Sequence, residues 1–494
     1  MLTKAHINKV MPYFPLVLFL LNFLLKLLYL TTAAIGHDEP FSIYYAQFNL
    51  NALINELKTG NNPPLFEVLL HFWIRLFGIS PFSVRLLPAL FACLCPVVLY
   101  YFAKRNFSLR VSIASSLLLT FSDLLLYYAH DCRVYSLFVL LTILSLYYYI
   151  EVSDEGRRSL LKQTLFIVFS TFLIYAHYFG FFVLAFQCVH LFLVNRKQIF
   201  KMSITYLLIL ILYLPCIFNM VTRFGASVKG TWVEAPSGID SLYNMLWSFS
   251  NVPVITVTCI AVLFFAGIKT LIGKSYLALK ENSNSILVLL WFLIPFFGMF
   301  LVSYWMPMYI SRYLIFALPA YYILVAVCIE ILFKKALYCN ALLAILVLCF
   351  AFTNDLNPDK KQPIFEAINK IKQHKDSSTL VVIGSDQILP TIAYHYNRAY
   401  FSSALNGKES YTTDSLLRRD NVYCIYNPAD IKSILNGKFT KIIYLGFDEK
   451  SNAPDYPLVN TLNSIYSLEK QEELKGGNWR ISFYTWPKKQ RLPS

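Results

Sequence analysis

The chain has 494 residues, of which 57% are hydrophobic and 14% charged, and its mean hydropathy is +0.53. A soluble domain carries about 25% charged residues, so an ordinary soluble protein is excluded and most of the chain belongs in lipid. The formal net charge of +15 is no nucleic-acid footprint, because the basic residues sit mainly in short loops between apolar runs.

Apolar runs long enough to span fall at 13–35, 82–103, 109–129, 133–150, 160–176, 178–194, 201–221, 252–272, 284–304, 310–333 and 336–353. The first is too long for the core of a signal peptide and lacks a cleavage site, so it reads as a retained helix. One further run, 63–78, would rise only about 24 Å as a helix, short of a hydrocarbon core of roughly 30 Å. Its Glu67, His71 and Arg75 recur every four residues and form one stripe, with Leu65, Phe66, Leu69, Leu70, Trp73, Leu76 and Phe77 on the other face. That pattern predicts a helix lying along the membrane surface.

Loop charges give the orientation. With the N-terminus cytoplasmic, the inner segments carry Lys4 and Lys9; Lys104, Arg105 and Arg110; Arg157, Arg158 and Lys162; Arg196, Lys197 and Lys201; Lys269, Lys274 and Lys280; Lys334 and Lys335. The outer ones hold only Lys58, Arg75, Arg133, Arg223, Lys229 and Arg312. Letting 63–78 span would reverse this excess, against the positive-inside rule. The expectation is a polytopic α-helical membrane protein of about eleven spans.

After Phe352 the composition becomes that of a soluble domain. A helix is expected at 363–375, and strands at 380–383, 422–426, 441–445 and 479–484, which reads as a small α/β domain on the extracytoplasmic side. The expected division is therefore 1–353, with a first outer loop at 36–81, and 354–494. The C-terminal part shows no phosphate-binding loop and no paired Cys/His spacing. Most of the ten Cys lie inside apolar segments, so no disulfide framework is expected.

Charged residues on the outer side are few. Gly36-His37-Asp38-Glu39-Pro40 follows the first span, and a carboxylate at the edge of hydrocarbon usually marks a substrate or ion pathway. The same acids also suit the first turn of a surface helix opened by Pro40. Asn62 before Pro63-Pro64 fits an N-cap, and Arg85 fits a snorkelling interface residue. Asp131 and Arg133, within Tyr128-Ala129-His130-Asp131-Cys132-Arg133-Val134-Tyr135, fit a local ion pair. His177-Tyr178 marks a third outer turn, and Tyr309-Ile310-Ser311-Arg312-Tyr313 opens the tenth span with an Arg that fits either an aromatic-belt anchor or a phosphate ligand. Together they place acids, Arg and a His on one face of the membrane.

The ordered set Asp38-Glu39, Pro63-Pro64-Leu65, Phe77-Gly78 and Arg85-Leu86 resembles the GT-C glycosyltransferases. Within them it is similar to the bacterial members of glycosyltransferase family 39 and their aminoarabinose-transferase relatives. Arg133-x-Tyr135, His177-Tyr178, Arg312-Tyr313 and Pro319 fit the same pattern, so the resemblance covers roughly residues 12–330. Several relatives carry Lys or His just before Pro-Pro, where this chain has Asn62. The resemblance implies a bacterial inner-membrane enzyme that moves a sugar from a polyprenyl-phosphate donor to an acceptor hydroxyl on a lipid, glycan or protein at the outer face. It implies Asp38 as the base, with Glu39 beside it. Donor and substrate contacts would come from Asn62, Arg85, Asp131, Arg133, Tyr135, His177, Tyr178, Arg312 and Tyr313. No cofactor is required; a divalent metal could sit near Asp38, Glu39 and His177, though the spacing does not demand one. A transporter or flippase of lipid-linked sugars is the rival reading, but such folds usually show internal repeats, and none is visible here.

Overall fold

All eleven apolar runs fold mainly as helix in the computed structural model of the protein. It describes residues 11–36, 38–58, 60, 62–228, 230–231, 233–272, 283–356, 363–385, 388–402, 410–425, 430–435, 439–474 and 479–486. Lys4, Lys9, His37, Lys229, Lys274, Lys280 and Tyr426, used above, lie outside the described residues.

Among the described residues, seven helices are long and apolar enough to cross a membrane: Pro81–Asn106, Tyr135–Ser153, Arg196–Val228, Pro253–Ile272, Ser283–Val302, Ser311–Leu332 and Ala336–Thr353. The pair Leu109–Thr120 and Asp123–Ala129, bent by 53°, is apolar enough to make an eighth crossing if it forms one span. Three shorter apolar helices, Met11–Leu27, Leu160–Ala176 and Gly180–Val194, account for the remaining runs. The first run is therefore shorter than expected. Its helix stops at Leu27 and the chain turns, with Tyr29 in the left-handed region at φ 57°.

A break in a helix leaves backbone groups without their intrahelical partners, and two asparagines from distant segments take them up. Asn251 and Asn354 both donate to the Phe121 carbonyl oxygen, at 2.9 and 3.0 Å, and the Asn251 side-chain oxygen accepts the Asp123 N–H at 3.0 Å. Ser122 caps the second half by accepting the Leu125 N–H. Lys26, hidden inside the first apolar run, is fully buried. It donates to Asn22 Oδ1 at 2.8 Å and to the Thr120 carbonyl oxygen at 3.1 Å, while His130 Nε2 bonds the Lys26 carbonyl oxygen at 2.9 Å. The cost of burying this charge is offset by acceptors from a second helix. On the basic-loop side, buried Glu151 pairs with Arg105 and Lys162.

Backbone contacts divide the chain into two compact units, 1–30 with 54–69 and 82–358, and 31–53 with 70–81 and 359–494. The second unit is built on a five-stranded sheet: β1 (Thr379–Ile383), β2 (Val422–Cys424), β3 (Lys441–Gly446), β4 (Ser467–Glu473) and β5 (Arg480–Thr485), in the order β2-β1-β3-β5-β4. β1 pairs parallel with β2 and β3, with Val381 opposite Val422 and Ile443; β5 runs antiparallel to β3 and β4. Every residue of β1 is buried, as expected for a central parallel strand covered on both faces. Leu380, Val382, Ile442 and Tyr444 pack with Leu458 and Leu462 of the helix Pro457–Ile465.

The same unit takes in much of the first outer loop. Tyr44, on the helix Glu39–Ala46, donates to Thr413 Oγ1 at 2.9 Å, and Gln47 Nε2 donates to the Phe401 carbonyl oxygen at 3.4 Å. His395 Nε2 bonds the Ile35 carbonyl oxygen at 2.6 Å. In the short helix Leu65–Phe77 the first two residues of the polar stripe turn inward while the third, Arg75, is exposed. Glu67 and His71 are buried, His71 bonds the Ala46 carbonyl oxygen at 3.0 Å, and Phe72, Leu76 and Phe77 are exposed. An exposed apolar edge is what a helix lying in a membrane interface presents to lipid.

Candidate functional site

A cavity of about 130 Å³ in the transmembrane unit gathers residues from four separated segments. Asn62 precedes the short helix, His177 and Tyr178 form the turn after Leu160–Ala176, and Tyr313 lies just inside Ser311–Leu314. The fourth contribution comes from the helix Ile199–Val228, which runs seven residues past the expected end at 221. There Met220, Arg223, Phe224 and Ser227 line the cavity, at the i, i+3, i+4, i+7 spacing that puts residues on one helix face. Among the described residues, the polar lining has no carboxylate.

His177 is set up as a neutral donor. Its Nδ1 accepts the Phe179 N–H at 3.2 Å, which places the ring proton on Nε2. That nitrogen is buried and has no hydrogen-bond partner among the described residues; the Tyr178 hydroxyl is in the same condition. Burial first, and then the charges of Arg133 and Arg312, lower the His177 pKa to about 3. The imidazole therefore stays uncharged at physiological pH, and its one N–H is buried in a residue that lines the cavity. Its plane is fixed by Phe138, stacked at 4.7 Å, and by Tyr313 at 5.7 Å. An orphaned buried donor is costly, and an anionic ligand oxygen would satisfy it.

The remaining candidates fall around this point or apart from it. Arg133 is buried, and its N–H bonds the Asp131 carbonyl oxygen at 2.6 Å in the turn before Tyr135–Ser153. The Tyr135 ring lies 4.6 Å from that of Tyr128 and 6.2 Å from His177. The Arg312 guanidinium stands 5.6 Å from the centre of the Tyr313 ring. Arg85 is fully buried rather than snorkelling and donates to the Leu30 carbonyl oxygen at 3.1 Å; it is not part of the cavity lining. Among the described residues, no group of three His, Cys, Asp or Glu could hold a metal ion.

The acidic pair belongs to the second unit. Asp38 stands at the N-cap of Glu39–Ala46 with exposed side chain, but that side chain makes no capping hydrogen bond. Glu39 is buried, and its Oε2 accepts the Gly36 N–H at 3.3 Å. The two carboxylates thus have different settings, one exposed and one committed to the local turn.

Arg223 enters the sequence reading only as a loop charge, although Met220, Arg223, Phe224 and Ser227 form a stripe at helical spacing in the sequence.

Residues 61–221 match the sequence profile of the family described as dolichyl-phosphate-mannose-protein mannosyltransferase. No curated protein matches the chain. Among solved structures, ArnT from Cupriavidus metallidurans bound to undecaprenyl phosphate superposes with a TM-score of 0.59 at 12% identity, covering 100% of both chains. The Archaeoglobus fulgidus oligosaccharyltransferase in its apo form gives 0.53 at 10%, covering 97% of this chain and 75% of that one. The oligosaccharyltransferase AglB from the same organism, in complex with an inhibitory peptide and a dolichol-phosphate, gives 0.52 at 11%, with 98% and 75% covered.

Proposed function

We propose that the chain is a glycosyltransferase of the GT-C type, transferring a sugar from a polyprenyl-phosphate donor to an acceptor hydroxyl at the extracytoplasmic face. The observation that carries this is the polar lining of the cavity. His177, Tyr178 and Arg223 line it without a carboxylate, and the His177 Nε2–H and Tyr178 hydroxyl, buried within these lining residues, have no hydrogen-bond partner among the described residues, a set suited to a phosphate. Met220, Phe224, Met306 and Met308 supply the apolar remainder, suited to prenyl carbons. Arg223 provides the positive charge that relatives place just before Pro-Pro, where this chain has Asn62.

In the transfer, the acceptor oxygen attacks the anomeric carbon and the bond from that carbon to the phosphate oxygen breaks. The bonding pair leaves with the polyprenyl phosphate, whose charge Arg133 and Arg312 offset. The acceptor proton passes to Asp38, the assigned general base. A single displacement inverts the anomeric centre. Purified protein given a panel of radiolabelled polyprenyl-phosphate sugars and envelope fractions is expected to move label from one donor to an envelope acceptor. Absence of transfer across the panel would overturn the reading.

This activity is assigned to the outer face because of the loop charges, sixteen basic residues on one side against six on the other. A cysteine at Ser377, beside β1, is therefore expected to react with an impermeant thiol reagent in intact cells, in a background lacking the exposed Cys188 and Cys349. Protection of that site until lysis would place the C-terminal residues inside.

A further inference from the structure

The transmembrane unit contains a second cavity, and its charge is opposite to that of the first. It measures about 440 Å³, within the range of about 300–1,000 Å³ typical of small-molecule sites. Its lining includes Asp123, Asp355, Asn244, Asn251, Tyr127 and Trp247, and no Lys, Arg or His. Asp123 Oδ1 accepts from Asn354 Nδ2 and from the Asp355 N–H, each at 2.7 Å, and among the described residues no basic side chain pairs with the carboxylate. A lining that has two carboxylates and no Lys, Arg or His disfavours a phosphate. Carboxylates and amides beside half-exposed Trp247 and Tyr127 rings suit a sugar: the polar groups bind vicinal hydroxyls and the rings cover its C–H faces.

Position relates the two cavities. Ser311 lines the second and Tyr313 the first, with Arg312 between them in the chain. Tyr128, also in the second lining, packs its ring 4.6 Å from that of Tyr135, which is 6.2 Å from His177. A transferase needs two adjoining subsites of different chemistry, meeting where charge develops.

We propose that the second cavity is the acceptor subsite, and that it takes an uncharged, polyhydroxylated sugar group rather than a phosphorylated one. This rests on the transferase reading above. It limits the acceptor to a glycan or glycolipid that presents a neutral sugar at this point.

The test uses the full chain in lipid nanodiscs, titrated with the methyl glycosides of glucose, mannose, galactose and N-acetylglucosamine and, separately, with inorganic phosphate, followed by tryptophan fluorescence. Undecaprenyl phosphate binding is measured on the same samples. At least one glycoside is expected to give a saturable change that vanishes in Trp247→Phe and needs about tenfold or more glycoside in Asp123→Asn. Asn244→Ala, at an exposed position, is expected to weaken it as well, and covers the case in which Asp123→Asn loses the bend. Inorganic phosphate is expected to produce no change, and every variant to keep undecaprenyl phosphate binding. No saturable response to any glycoside, a full response in Trp247→Phe, or equal competition by phosphate would overturn the subsite while leaving the donor reading intact. Glycoside binding without any undecaprenyl phosphate binding would instead overturn the transferase reading, and with it the acceptor role.

Discussion

Asp38→Asn is expected to lower turnover by about 10²–10⁴-fold, the usual contribution of general acid–base assistance, with donor affinity close to that of the parent. The substitution keeps the shape and hydrogen-bonding reach of the side chain and removes only a carboxylate able to accept the acceptor's proton. The competing explanation, a helix cap, predicts normal activity, because Asn caps as well as Asp. The structure already weakens that explanation: Asp38 occupies the N-cap of Glu39–Ala46, yet its side chain makes no capping bond. Glu39→Gln supplies the contrast. Its Oε2 serves the Gly36 N–H, a role that a Gln oxygen can fill, so a small change is expected. Turnover and donor affinity measured in the same preparations separate the cases. Near-normal turnover in Asp38→Asn, or equal losses in both variants, would sink the assignment of Asp38 as the base.

The helices were legible because lipid leaves a coarse signature, a long apolar run bounded by basic loops. Where a run stops was less legible. Leu28, Tyr29 and Leu30 continue the apolar pattern past Leu27, so hydropathy alone carries no signal for the turn there. Lys26 was missed for a related reason: one charge in an apolar run barely alters the average, and its acceptor on Thr120 comes from a distant helix. Four strands followed from apolar patterning, whereas β4, Ser-Leu-Glu-Lys-Gln-Glu-Glu, did not. It is an exposed edge strand, where charge guards against edge pairing and hides the usual alternation. The packing of residues 31–53 and 70–81 into the C-terminal unit depends on contacts such as Tyr44 with Thr413, more than 300 residues apart, and no local pattern encodes those. At the site, His177-Tyr178 and Arg312-Tyr313 stood out as polar residues at apolar ends, while Arg223 was obscured because it lies two residues past the expected helix end at 221, and the helix continues to Val228.

Arg312→Ala is expected to weaken donor binding by about 10–100-fold, the worth of about 1.5–3 kcal/mol of hydrogen bonding to a charged group. Arg133→Ala is expected to act in the same direction. The charges of Arg133 and Arg312 both lower the His177 pKa, and the neutral ring contributes a hydrogen bond but no charge, so the two Arg and Arg223 are the cations proposed to balance a phosphate. Lysine should rescue only partly at either position, since a point charge lacks the planar fork that engages two phosphate oxygens together. An aromatic-belt anchor predicts something else. Arg312 leans on the Tyr313 ring, so if anchoring were its role, the Ala variant would lose yield or thermal stability while its surviving folded fraction bound donor normally. Titrating undecaprenyl phosphate into each purified variant, with thermal unfolding measured alongside, distinguishes the two roles. Unchanged donor affinity in both Ala variants would remove Arg312 and Arg133 from the phosphate site and leave Arg223 as its cation.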